Sequence, residues 1–192
     1  MQIADVDSDI KKMLIESKIS SSMRSLESCE WIVYEKQGKK IVGAVGIGGI
    51  FHTSSIQINE DFRSQGIGKR IQTALVNEAK KRNYSFITVF VDPRNEASTK
   101  LHNSVGYKTI FRINYTKEII QDVKIIILKP KGKIIKKILT CLNTKIGIFF
   151  LACILKTSRS LFKKMIAYDE EQVPIPDIKY IIKNFEKYKI IQ

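Results

Sequence analysis

The chain has 192 residues, 44% of them hydrophobic, with 33 lysines and arginines against 19 aspartates and glutamates and a formal net charge of +14. That length allows one well-buried core plus an appendage and is short for two full domains, and the apolar fraction excludes wholesale disorder. A charge of this size attracts anions (nucleic acid, anionic lipid or a phosphate-rich cofactor), or else serves mainly solubility.

The charge is uneven: residues 1–130 carry 20 basic and 14 acidic side chains, residues 131–192 carry 13 and 5. Cys29, Cys141 and Cys153 are an odd, scattered set that forms neither a disulfide framework nor a metal-ligand pattern, so no metal is expected. No apolar segment of the secretory kind follows Met1, which makes a reducing, cytoplasmic location the default expectation.

In chain order, Ile10, Met13 and Leu14 recur at helical spacing after three possible caps, Asp7, Ser8 and Asp9. Trp31–Tyr34 and Ile41–Ile47 are β-branched runs around a turn at Gln37-Gly38-Lys39-Lys40, the pattern of an antiparallel hairpin, and a further short strand ends at Ile58. The period then changes. Ile67, Ile71, Leu75 and Ala79 predict an amphipathic helix over 66–82. A strand follows at 85–91, stopped by Asp92-Pro93, then a helix from Asn95 to Ser104 ended by Gly106, and a last strong strand at 122–128. Helices alternating with strands in this order predict a mixed α/β domain.

The segment richest in chemistry is Arg63-Ser64-Gln65-Gly66-Ile67-Gly68-Lys69-Arg70, between a strand and a helix. Two glycines one residue apart let the backbone aim several N–H groups at one point, and a helix start carries unpaired N–H groups and partial positive charge. An anion such as a pyrophosphate fits there, at about 1.5–3 kcal/mol for each hydrogen bond to a charged group. Two familiar phosphate loops are excluded: Arg70 stands where the P-loop needs Ser or Thr, and Ile71 where the dinucleotide fingerprint needs a third glycine.

What remains resembles the Arg/Gln-x-x-Gly-x-Gly/Ala acetyl-CoA signature of the Gcn5-related N-acetyltransferase (GNAT) superfamily. Asn95 to Tyr107, with Leu101-His102 and Gly106-Tyr107, resembles the second signature of that family at the expected distance. The resemblance covers about residues 41–128. It implies the acyl-CoA N-acyltransferase fold, a mixed, mostly antiparallel central sheet flanked by helices. Residues 1–130 are then the acetyltransferase domain and residues 131–192 a basic helical extension.

The resemblance further implies acetyl-CoA as co-substrate and direct attack of a primary amine on its thioester. The acceptor is left open among a small metabolite, an amino sugar and a protein amine. By analogy the Ile58 backbone meets the pantetheine arm, and the cofactor-binding loop is Arg63, Ser64, Gln65, Gly66, Ile67, Gly68, Lys69 and Arg70. Backbone N–H groups from Gln65 to Lys69 hold the pyrophosphate, and Lys69 and Arg70 add positive charge. Arg63 stands at the signature's Arg/Gln position, as a cofactor contact or as a surface arginine pinning the loop. Asn95 contacts the cofactor arm or simply caps its helix. A tyrosine often protonates the departing thiolate in this family; His102 stands at that position here, as proton donor or as a packing residue. Glu60 is the first candidate for general base and His52 the second, with a solvated loop carboxylate as the alternative for Glu60. Cys29 has no His/Asn context and reads as structural. A competing expectation is an acyl-CoA-binding regulatory or membrane-associated module with weak or no catalysis. Nucleic-acid binding ranks last, because no reading motif accompanies the charge.

Lys129-Pro130-Lys131-Gly132 marks the expected domain edge. Beyond it, Lys133 to Tyr168 reads as a long helix with an apolar block from Ile146 to Leu155, too short for a span of about 20 residues. It packs on the domain, mediates a homodimer, or lies on an anionic membrane surface among Lys131, Lys133, Lys136, Lys137, Lys156, Arg159, Lys163 and Lys164; a transmembrane anchor ranks below these. After Pro174 and Pro176, residues 178–188 suggest a final short helix.

Overall fold

The structure is a computed structural model and describes residues 1–19, 26, 28–158 and 176–190. Residues 159–168 of the expected long helix, with Arg159, Lys163 and Lys164, lie outside the described residues, as does Pro174. The chain divides into two compact units, one built on Met1–Tyr84 and the other beginning at Ser85.

The first unit holds β1 (Gln2–Asp5), α1 (Ser8–Glu16), β2 (Trp31–Gln37), β3 (Lys40–Gly48), β4 (Thr53–Ile58), a short 3₁₀ turn (Glu60–Phe62) and α2 (Ile67–Lys81). The four strands pair antiparallel in chain order, with Ala4 opposite Ile32, Tyr34 opposite Ala44 and Gly43 opposite Ile58. Asp7 caps α1 by accepting from Ile10 N at 2.8 Å. That cap sets the helix phase, so Ile10 and Leu14 pack on Ile32, Tyr34, Ile41 and Ala44. Fully burying such a side chain contributes roughly 1.5–3 kcal/mol. Strand β1 carries no periodic signal, because one residue in four is partly buried and the rest face water. It exists through its ladder to β2.

Strands β2 and β3 slip at Glu35/Lys36, where the register passes over Val42. Such an irregularity bends the strand and re-aims a side chain. The carbonyl of Val42 turns to Asn59, accepting from its N–H at 3.0 Å. Helix α2 packs over β3 so closely that a Cβ on Gly43 would stand 2.8 Å from Ile67 Cγ2.

The second unit holds β5 (Phe86–Val91), α3 (Glu96–Val105), β6 (Lys108–Asn114), β7 (Ile120–Ile127), α4 (Gly132–Thr140), α5 (Lys145–Thr157) and α6 (Ile178–Lys183). Strand β7 lies between β5 and β6, antiparallel to both. The fold is the mixed, mostly antiparallel α/β class that the resemblance implies. The segment Lys129-Pro130-Lys131-Gly132 leads from β7 into α4 within this unit. Helix α4 packs on β6 and β7, and a Cβ on Gly132 would collide with the carbonyl of Ser85.

The expected continuous helix from Lys133 is broken at Cys141–Thr144, and α4 and α5 are bent by 98°. Thr144 is the reason. Its hydroxyl accepts from Gly147 N at 3.0 Å and starts a new helix while donating to Cys141 O at 2.9 Å. Such local side-chain bonds compete with helix continuation. Among the described residues, no single helix is long and apolar enough to cross a membrane.

Candidate functional site

The loop leading into α2 takes left-handed backbone at two positions, only one of them a glycine. Ser64 and Gly66 both have left-handed backbone, at φ +64° and +73°. Gly66 is the N-cap residue of α2 and gives it no side-chain hydrogen bond; the first intrahelical bond runs from Arg70 N to Gly66 O at 3.1 Å. The N–H groups of Ile67, Gly68 and Lys69 therefore have no partner inside the helix. No acidic residue occupies the first turn, while Lys80 and Lys81 occupy the last. The positive end of the helix dipole is left for an anion.

The cations around the loop divide by role. Lys69 is exposed beside the loop. Arg70 is engaged elsewhere: Nη2 and Nε donate to the Glu35 carboxylate at 2.6 and 3.2 Å, and Nη1 donates to Gln65 O at 2.9 Å. Its carboxylate partner raises the affinity of the guanidinium for its proton. By holding the Gln65 carbonyl, Arg70 orients the loop. Arg63 pairs with Glu60 at 3.1 Å, both well exposed, and Gln65 Nε2 reaches Asp61 O at 3.4 Å. A groove of about 530 Å³ follows α2 from this loop, lined by Gly66, Lys69, Arg70, Thr73, Ala74 and Asn77. Bare N–H groups, an exposed lysine and a groove fit the diphosphate of a coenzyme.

Ile58 ends β4 directly before this loop, so Ile58, Glu60 and residues 63–70 come together in the first unit. His52 is also in that unit, stacked edge-on to Tyr84 at 4.4 Å, and burial lowers its pKa. Tyr84 accepts from Trp31 Nε1 at 3.0 Å and donates to Glu30 at 3.1 Å. Cys29 is buried against Gly46, and burial, helped by Glu30, pushes its thiol up to about 12. Such a thiol is inert.

Asn95 and His102 lie on α3 in the second unit. Asn95 is the helix cap, its Oδ1 accepting from Ser98 N at 3.0 Å. His102 is 1% exposed and edge-on to Tyr107 at 5.3 Å. Its Nδ1 lies 2.8 Å from Ser98 O, a carbonyl that only accepts, so Nδ1 carries the proton. Nε2 is buried without a hydrogen-bond partner among the described residues. Burial lowers the ring's pKa, outweighing the Ser98 bond, with Lys124 acting in the same direction as burial. In this neutral ring Nε2 is a proton acceptor.

The second unit also holds a cluster that the pattern reading passed over. Asp122 and Lys124 are buried on β7. Asp122 takes Arg112 Nε at 2.7 Å, and Lys124 Nζ donates to Asn103 at 3.1 Å and Thr109 at 3.0 Å. With Thr99, Tyr107 and Tyr188 these side chains line a cavity of about 430 Å³. The available signal was a lysine inside the otherwise apolar run Val123–Leu128.

Fold and loop together define a mixed α/β protein with an anion cradle at a helix start. The chain belongs to the acetyltransferase (GNAT) family, whose profile matches residues 5–107. A [ribosomal protein bS18]-alanine N-acetyltransferase from Haemophilus ducreyi is 34% identical over 62 residues, which cover 32% of this chain and 43% of that relative's length. Among solved structures, an N-acetyltransferase from Staphylococcus aureus superposes with a TM-score of 0.54 at 18% identity, covering 67% of this chain and 98% of that one. The ribosomal-protein-S18-alanine N-acetyltransferase from Escherichia coli gives 0.55 at 16%, covering 67% and 94%. A Salmonella typhimurium protein solved with its cofactor acetyl-CoA gives 0.53 at 12%, also covering 67% and 94%. At these identities the likeness is one of fold.

Proposed function

We propose that the chain is an N-acetyltransferase that takes acetyl groups from acetyl-CoA and delivers them to a primary amine of a protein, most simply an N-terminal α-amine. The observation that carries the coenzyme part is the start of α2: left-handed Gly66, no side-chain cap, and three N–H groups without helical partners. Residues 64–69 would hold the diphosphate, with Arg70 fixing the loop through Gln65, Ile58 offering backbone to the pantetheine arm and Asn95 lying beside it. The thioester supplies the activated acetyl group. The acceptor class is supported by the Haemophilus ducreyi relative, which acts on a ribosomal-protein alanine.

Glu60 is proposed as the base that takes the amine proton through water, and His102 as the group that handles the proton at the departing sulfur. The neutral His102 ring must gain a proton at Nε2 before it can give one up. That requirement favours a second reading, a coenzyme-binding module with little catalysis.

Release of free thiol from acetyl-CoA, followed with alanine-initiated peptides, amino sugars and small amines, separates these readings. Turnover on the peptides supports the proposal. Turnover only on small amines overturns the acceptor class, and tight coenzyme A binding with no turnover selects the module.

A further inference from the structure

Helix α5 is apolar on every side, and one of its faces is packed among the described residues. Ile148, Ala152 and Leu155 are buried, where the helix packs against α6. The opposite face exposes Ile146 at 71%, Phe149 at 41%, Phe150 at 60% and Ile154 at 39%, and α4 adds Ile134 and Ile138. A helix hydrophobic all round is stable where all of its faces are covered, and an exposed apolar patch of this extent marks a binding surface. Charge decides what covers it. Residues 131–158 contain six lysines (Lys131, Lys133, Lys136, Lys137, Lys145 and Lys156) and no aspartate or glutamate. Among the described residues, none of the six is in an ion pair.

A second copy of the chain docking here about a two-fold axis would bring two sets of six uncompensated lysines together. An anionic lipid surface meets both the apolar face and the lysine rim. Helix α4 is about 14 Å long and α5 about 20 Å, each short of a hydrocarbon core of about 30 Å, and the 98° bend keeps them from adding end to end. We propose that α4 and α5 form a peripheral docking face for anionic membranes, with the side chains of Phe149, Phe150 and Ile154 entering the interface and the lysines meeting lipid phosphates and carboxylates. This does not depend on the acetyltransferase reading.

The test is sedimentation of the full chain with phosphatidylcholine vesicles, with and without phosphatidylserine, at low and near-physiological salt. The expected result is at least tenfold stronger partition onto the anionic vesicles, weakened by salt. The pairs Phe149→Ser with Phe150→Ser, and Lys133→Gln with Lys137→Gln, all at exposed positions, should each reduce partition about tenfold and leave the melting temperature unchanged. No binding to anionic vesicles at low salt overturns the proposal, as does binding that neither pair alters. A dimer in light scattering that Phe150→Ser dissociates, without vesicle binding, would assign the face to a second copy. Bound protein that alkaline carbonate fails to release would assign a broken membrane span instead.

Discussion

Arg70 and Glu35, 35 residues apart, form a two-pronged ion pair at 2.6 and 3.2 Å, and the third guanidinium nitrogen holds the Gln65 carbonyl at 2.9 Å. Glu35 sits where the β2–β3 register slips. One irregularity in a hairpin thus sets the direction in which the loop before α2 presents its N–H groups. Glu35→Gln should raise the dissociation constant of coenzyme A several-fold with only a small fall in melting temperature, because water screens the half-exposed Arg70 end of the pair even though Glu35 itself is 18% exposed. Calorimetric titration of both proteins measures this, and equal affinities would show that the loop holds its shape unaided.

Gly66→Ala places a Cβ on left-handed backbone, with open space around it except for Arg70 Nη1 at 3.5 Å. The expected cost is conformational, about 1 kcal/mol. Gly43→Ala acts through collision with Ile67 and should cost about 1–3 kcal/mol, as overpacking does. Urea unfolding ranks the two; Gly66→Ala proving the costlier would contradict the packing of α2 on β3.

His102 gives a signed pH dependence. Burial holds its folded pKa below the ordinary imidazole value of about 6.5, so between the two values the unfolded chain binds more protons. Its contribution to stability is complete above about pH 6.5 and is lost as pH falls through that window toward the folded pKa. His52 shifts in the same direction, so His102→Phe should flatten the acid limb of stability against pH without abolishing it. Thermal melts between pH 7.5 and 5 test this. If His102 handles a proton in catalysis, the same variant loses about 10²–10⁴-fold in turnover.

Asp122→Asn removes the carboxylate that faces Arg112 and leaves the buried Lys124 with less compensation. A loss of about 2–3 kcal/mol is expected, toward the low side for a buried pair because Arg112 keeps some contact with water. Lys124→Met removes the buried charge itself and should stay within about 1 kcal/mol of the parent. Chemical denaturation that finds the lysine variant the weaker of the two would reverse this assignment of roles.

The cysteines should separate by labelling. Cys141 is exposed and Cys29 is buried with its thiol pushed up to about 12. Iodoacetamide at neutral pH should modify Cys141 in the native protein and reach Cys29 only after denaturation, as peptide mass mapping would show.

Local chemistry was readable from the chain alone wherever neighbours in sequence produce it. The glycine turn, the period of α2, the Asp7 and Asn95 caps and the Gly106 stop are decided within a few residues, so spacing reveals them. Strand β1, the engagement of Arg70 with Glu35 and the neutral ring of His102 each depend on partners or burial that no local pattern encodes. Burial decides that the His102 ring is neutral, and sheet register decides which carboxylate meets which guanidinium. Those are properties of the packed chain, and only tertiary structure supplies them.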